Sequence, residues 1–243
     1  DVWIDFIADT GDDADVSQAI AEMLFAEHCV IEEGERVTLP RGGLLVFGGD
    51  TAYPVATDLE IHNRVTAPFN RALKSRRDPT RRVLLGIPGN HDWYAGLDGF
   101  GRMFRERRGR VDRASRVAAD ETDTSGQIGH FIEWVEAFRV GTQVHKRPAL
   151  PIEGYTTVQT ASYWALQLAP GLQLWGVDRQ LRQMDFRQKN FFVETRDRNE
   201  EDGLILVMPD PAYAYLEPYP IGQAILGALG ERLEDGHLAL AGD

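Results

Sequence analysis

Short apolar runs that alternate with helical patterns are the feature that most constrains how this chain can fold. Three such runs, at positions 2–8, 44–48 and 83–87, are typical of strands. Between them, apolar residues recur at helical spacing over 15–24 and 58–74. This alternation predicts parallel strands joined by crossover helices. Cys29 falls near the end of the first helical pattern, and we expect it to be buried.

The later part of the chain predicts further strands and a helix, separated from the first part by a looser region. The predicted elements are strands at 162–168, 172–177, 204–208 and 237–241 and a helix at 220–233. The region from 96 to 154 predicts an insertion over the core. We therefore expect one α/β domain over residues 1–243 with an insertion at about 96–154. The chain opens on a strand without Met and closes on a turn, so we expect a fragment of a longer protein.

The most informative motif is the stretch Ile87-Pro88-Gly89-Asn90-His91-Asp92-Trp93, directly after a predicted strand. Gly89 allows a sharp turn at no steric cost. Asn90 offers a neutral oxygen to a hard metal ion, and His91 beside Asp92 is suited to proton transfer. The motif alone is only suggestive, but similar strand ends recur along the chain.

Polar oxygen ligands follow nearly every predicted strand. They are Asp9, Asp50, Asn90, Asp178, Asp210 and Asp243. Ligands of open α/β sheets bind at the carboxyl ends of the strands, so these side chains are expected to converge. A single Asp here often only caps the next helix. Several together repel one another unless a cation compensates, which favours a metal site for Mg, Mn, Fe or Zn. Asp178 matches no ligand motif and is expected to have a supporting or structural role.

The charge and the cysteine count exclude some classes of function. The formal net charge of −12 disfavours a nucleic-acid binder, which needs a basic surface. Cys29 is the only cysteine, which excludes a disulfide framework and a cysteine-based zinc site, and weakly favours a reducing compartment. We expect a cytoplasmic protein, with membrane association of a longer chain left open.

Three motifs together resemble those of the calcineurin-like metallophosphoesterase superfamily. They are Asp9-x-Gly11, Gly49-Asp50-x-x-Tyr53 and Gly89-Asn90-His91-Asp92, in this order and spacing. The second motif is similar to that of the purple acid phosphatase branch, and GNHDWY, LWGVD and the terminal AGD resemble a bacterial group of these enzymes. The resemblance implies a sandwich of mixed β-sheets flanked by helices.

The resemblance also implies the role of each residue. Asp9 would bind the first of two divalent or mixed-valence metal ions, Asp50 would bridge both, and Asn90 would bind the second. Tyr53 would be a phenolate ligand that favours ferric iron, with packing against Pro54 as the alternative. His91 would protonate the leaving group or hold the phosphate, oriented by Asp92.

The chain departs from the family pattern at three positions. Gly11 stands where the first motif carries His, and Asp210 stands where the fourth motif supplies His. Asp243 replaces the first His of the fifth motif. Asp210 and Asp243 are thus either carboxylate replacements for imidazole ligands or marks of a weak or lost metal position.

The expected function is hydrolysis of a phosphate monoester or diester by a metal-activated hydroxide, the substrate being a phosphorylated small molecule or a lipid headgroup. The alternative is a non-catalytic domain that binds a phosphorylated ligand or a partner. Two weaker signals leave membrane contact open: the arginine-rich stretch Arg102–Arg116 and the apolar stripe of His130–Val140. A solvated face and a cap helix are the ordinary explanations of these two stretches.

Overall fold

The computed structural model describes residues 2–32, 34–74, 76, 78, 80–106, 148–181, 183–198, 202–214, 217–230 and 238–242. The expected insertion at about 96–154 therefore falls largely outside the described residues. So do most of Arg102–Arg116 and all of His130–Val140, together with Asp243.

The first sheet has four parallel strands in the order β1-β4-β5-β6. These strands are β1 (Ile4–Ile7), β4 (Leu44–Phe47), β5 (Arg82–Gly86) and β6 (Tyr155–Thr157). Helix α1 (Ala14–Leu24) follows β1, and α2 (Asp58–Ile61), a π turn (His62–Thr66) and α3 (Ala67–Lys74) connect β4 to β5. The prediction of parallel strands joined by crossover helices is confirmed.

The second sheet also has four strands, in the order β12-β9-β8-β7. These are β7 (Trp164–Ala169), β8 (Leu172–Gly176), β9 (Gly203–Met208) and β12 (Leu238–Ala241). Strands β7 and β8, which match the strands predicted at 162–168 and 172–177, form an antiparallel hairpin, while β8–β9 and β9–β12 are parallel. Helix α6 (Phe186–Arg198) leads into β9, and α7 (Pro220–Leu229) begins with Pro at its first position, where no backbone donor is needed.

Two further hairpins and two short helices complete the described elements. Strands β2 (His28–Glu32) and β3 (Glu35–Leu39) pair antiparallel, as do β10 (Tyr213–Ala214) and β11 (Glu217–Pro218). Helices α4 (Asn90–Tyr94) and α5 (Asp98–Phe104) follow β5.

The two sheets share one apolar cluster, and helices cover their other faces. Leu44 and Val46 of β4 pack with Leu174 and Val207 of the second sheet. The alternate residues of β4, Leu45 and Phe47, belong to a cluster with α1, α3 and α5. A third cluster joins the second sheet to α6 and α7. This alternation is the side-chain period of a strand, and it gives a mixed α/β structure with helices outside both sheets.

Two local predictions are wrong. Cys29 is exposed on β2 rather than buried at a helix end, because α1 ends at Leu24 and a hairpin begins at His28. The 58–74 pattern predicts one apolar helical face that includes Leu59 and Phe69, but Leu59 is 62% exposed whereas Phe69 is buried. The π turn between them adds a residue to the helical turn and rotates the two ends relative to each other.

Candidate metal site at the strand ends

The first carboxylates of the site follow β1 and β4. Asp9 and Asp50 both adopt left-handed backbone conformations, with φ angles of 53° and 46°. Residues other than Gly rarely adopt this conformation, although Asp and Asn tolerate it better than others. Strained backbone of this kind concentrates at functional sites, and here it marks two successive strands of one sheet.

The phenol of Tyr53 lies between these two carboxylates. Its hydroxyl is 3.0 Å from Asp9 Oδ1 and 3.3 Å from Asp50 Oδ2. Burial, followed by the charges of Asp50 and Asp9, raises the pKa of Tyr53 far above its usual range. Without a cation, the phenol therefore keeps its proton and donates it to one carboxylate at a time.

The amide of Asn90, at the start of α4, lies against Asp50. With its nitrogen towards Asp50, it donates over 2.9 Å to Oδ2 and 3.2 Å to Oδ1, while its oxygen accepts from the Tyr94 hydroxyl at 3.2 Å. In the opposite orientation the Asn90 oxygen would face two carboxylate oxygens. A cation between them would make that orientation favourable. We call this group the strand-end cluster; it consists of Asp9, Asp50, Tyr53 and Asn90.

The strand-end cluster has the oxygen donors that a hard metal ion takes, at separations compatible with such an ion. Neighbouring oxygen ligands of an octahedral ion with bonds of about 2.1 Å are about 3.0 Å apart. The distances of Asp50 Oδ2 to the Tyr53 oxygen and to the facing atom of the Asn90 amide are 3.3 and 2.9 Å. In the described part of the chain, no three His, Cys, Asp or Glu side chains form such a group. A site here would therefore depend on the phenol and the amide as well as two carboxylates.

His91 is held beside this cluster by the neighbouring loop. Its Nδ1 is 2.6 Å from the carbonyl oxygen of Pro54, and its ring centroid is 4.4 Å from that of Tyr53 and 5.4 Å from that of Tyr94. A carbonyl can only accept, so Nδ1 carries hydrogen and Nε2 is the atom that can exchange a proton. The backbone N–H of His91 donates to Asp50 Oδ1 over 2.8 Å.

In the structure the side chain that was predicted to orient His91, Asp92, contacts backbone groups, and the ring of His91 is held by the Pro54 carbonyl. Asp92 is fully buried, and its Oδ2 accepts from the backbone N–H groups of Gly89 at 3.0 Å and Thr51 at 3.1 Å. Burial raises the pKa of Asp92 to about 7, against the effect of these two donors. Asp92 thus ties the loop after β4 to the loop after β5 and positions both.

Two glycines are required for this packing. A Cβ on Gly89 would lie 2.1 Å from Asp50 Oδ1. Gly11 has a φ of +70°, and a Cβ there would lie 2.7 Å from the Thr51 carbonyl oxygen and 2.8 Å from Ala52 Cα. No His fits at position 11 in this backbone, which gives a steric reason for the difference from the motif that this segment resembles.

The second sheet reaches the same edge. Gly242, after β12, lies so close to Asp9 that a Cβ on it would be 3.1 Å from Asp9 Oδ2. A Cβ on Gly49 would lie 3.6 Å from the Cβ of Pro209, which follows β9. The predicted convergence of these strand ends is therefore present. The ligand proposed for the position after Gly242, Asp243, lies outside the described residues.

Asp210 is buried at the same edge but is paired with a cation of the chain itself. Its Oδ2 lies 3.1 Å from Arg179 Nε. Sequence reasoning missed Arg179, although it directly follows Asp178 at the end of a predicted strand. It also missed that Trp93 Nε1 donates to Asp178 Oδ1 over 3.0 Å and so links α4 to the end of β8.

Arg102, the first residue of the arginine-rich stretch, is neither on a solvated face nor in position to bind an anion. It is buried, forms a close ion pair with Asp58 and a longer one of 3.6 Å with Asp98, and donates to the Pro148 carbonyl. In the described ranges, no helix is long and apolar enough to cross a membrane.

Comparisons of the chain with family models, with curated proteins and with solved structures return no match. The resemblance named above therefore rests on the motifs themselves.

Proposed function

We propose that this chain is a metal-dependent phosphoester hydrolase, acting on a phosphate monoester or diester. The observation that carries the proposal is the strand-end cluster, in which Tyr53 contacts both Asp9 and Asp50 and the Asn90 amide packs on Asp50. A bound metal ion supplies a hydroxide near neutral pH and neutralises charge on the phosphoryl group.

The protein's own residues supply the proton and the geometry. His91 donates its Nδ1 hydrogen to the Pro54 carbonyl. This short contact fixes the orientation of the ring and leaves Nε2 as the atom that can transfer a proton. In the imidazolium form, Nε2 can give a proton to the leaving oxygen, which contributes about 10²–10⁴-fold in general acid catalysis. Asp92 and Gly89 keep His91 and Asn90 in one turn against Asp50.

The second candidate is a domain that binds a phosphorylated ligand without turnover. The pairing of Asp210 with Arg179 favours it, because a carboxylate in an ion pair is a poor substitute for the imidazole ligand expected at this position. The two candidates differ in turnover, which the hydrolase shows and the binding domain lacks.

The test combines elemental analysis of the full-length protein with turnover of bis(4-nitrophenyl) phosphate and 4-nitrophenyl phosphate. We expect bound Mn, Fe or Zn in the wild type and loss of metal in Asp50→Ala. In His91→Ala we expect turnover to fall about 100-fold or more while the metal is retained. Asp197→Asn and His62→Ala, both exposed, are matched controls. Absence of metal and of turnover after incubation with Mn, Fe or Zn would exclude the hydrolase and leave the binding domain.

A further inference from the structure

Arg179 places a fixed positive charge at the carboxyl ends of β8 and β9. Its Nε is 3.1 Å from Asp210 Oδ2, and both side chains are mostly buried, with exposures of 19% and 10%. The preceding residue is anchored, since Gln188 exchanges two hydrogen bonds with the backbone of Asp178, and the Asp178 carboxylate accepts from the Gln180 N–H over 2.6 Å. Arg179 is therefore held by a rigid segment.

Two contacts tie the segments that carry Arg179 and Asp210 to the segments that carry the strand-end cluster. Asp178 accepts the indole hydrogen bond of Trp93, which lies one turn of α4 after Asn90. Pro209, next to Asp210, packs on Gly49, the neighbour of Asp50.

The pair changes what Asp210 can bind. A guanidinium at 3.1 Å already compensates the Asp210 charge, and a second metal ion would have to displace it and then be repelled by it. The planar guanidinium is also well matched to phosphoryl oxygens, to which it donates two parallel hydrogen bonds.

We propose that Arg179 takes the place of the second metal ion, an inference that rests on the proposed hydrolase function. The chain then holds one metal ion, at the strand-end cluster. The guanidinium of Arg179, positioned by Asp210, binds the phosphoryl oxygens of the substrate. Asp210 is in this view a positioning residue and not a metal ligand.

The first test is the metal count, measured by elemental analysis after loading the full-length protein with Mn²⁺ and removing the excess. We expect about one Mn²⁺ per chain. We expect Asp210→Asn to keep that count, because the side chain does not ligate the metal. A wild-type count of two, or a lower count in Asp210→Asn than in the wild type, would overturn the proposal.

The second test is the affinity of the Mn²⁺-loaded protein for inorganic phosphate, measured by titration calorimetry. Arg179→Ala should weaken binding by about 10- to 100-fold, as expected for loss of a charge-assisted contact. Arg179→Lys should lie between the two, because it keeps the charge but loses the planar fork. Arg198→Ala is the matched control, since Arg198 pairs with Glu194 on the surface of α6.

Failure of this inference can be told from failure of the proposed function. No bound Mn²⁺ and no turnover in the wild type would refute both. Turnover with one Mn²⁺ per chain but unchanged phosphate affinity in Arg179→Ala would refute the role of Arg179 alone.

Discussion

Replacing Asp50 by Asn should stabilise the metal-free protein. The Asp9 and Asp50 oxygens that face Tyr53 are at most 6.3 Å apart, the two distances to the phenol being 3.0 and 3.3 Å. Two unit charges at that separation repel each other by about 3 kcal/mol at an effective dielectric constant of about 20. The substitution removes one of the charges.

The contacts of Asp50 can all be kept by an amide. Its oxygen can accept from the His91 N–H, and its nitrogen can donate to Tyr53 and to the oxygen of Asn90 after that amide turns over. Asn also tolerates the left-handed φ of 46° at this position. With some repulsion already screened by solvent, we expect a net gain of about 1–2 kcal/mol in the free energy of unfolding.

The assay is urea unfolding of both proteins, once with EDTA and once with excess Mn²⁺. A metal at 100 times its dissociation constant stabilises the wild type by about 2.7 kcal/mol, and Asp50→Asn should lose that gain. The order of stability should therefore reverse between the two conditions. If Asp50→Asn is less stable than the wild type in EDTA, the charge-repulsion argument is refuted. If it gains as much stability from Mn²⁺ as the wild type does, Asp50 is not a metal ligand.

Three further predictions follow from packing and burial. Gly89→Ala should abolish metal binding, because its Cβ would lie 2.1 Å from an oxygen of Asp50; retention of wild-type metal content would contradict this. Arg102→Met should lower the free energy of unfolding by about 1–2 kcal/mol in urea, because the Pro148 carbonyl loses its donor while Asp58, which is 43% exposed, keeps access to water; an unchanged free energy of unfolding would refute it. Burial raises the pKa of Asp178 to about 6, so its contribution to stability is full below pH 3.8 and is lost as pH rises through 6. The wild type should lose up to about 3 kcal/mol over this range in urea titrations, and Asp178→Asn should lack that loss; parallel profiles would exclude it.

The sequence predicted the elements that are apolar and periodic, and it failed where burial is polar. Strands such as β4 and β9 are apolar runs that end in a Gly or Pro next to Asp, and both were found. Helix α6 was missed because its buried positions include Gln188 and Thr195, which give no apolar period. Its one usable signal is Asp185, whose side chain accepts from the Gln188 N–H as an N-cap.

The site was predicted by residue type, but the contacts within it were not. Strand-end position brought Asp9, Asp50 and Asn90 together, since carboxyl ends of parallel strands share an edge. The partner of His91 could not be found in the sequence, because Pro54 acts through its backbone carbonyl and any residue has one. Sequence adjacency instead suggested Asp92, whose side chain points to backbone donors of two loops.

The differences from the motifs that the chain resembles become consistent once the neighbours of each position are known. Gly11 cannot be His because the loop after β4 occupies the space of its side chain. At position 210 an imidazole ligand is not needed, because the Asp210 carboxylate forms an ion pair with Arg179 instead of binding a metal ion. Both changes remove imidazole ligands, while the oxygen ligands of the strand-end cluster stay within contact of one another. A site that has oxygen in place of imidazole ligands should have a smaller advantage of Zn²⁺ over Mn²⁺ than a site that contains imidazole, and competition between these two ions for the wild-type protein measures that difference.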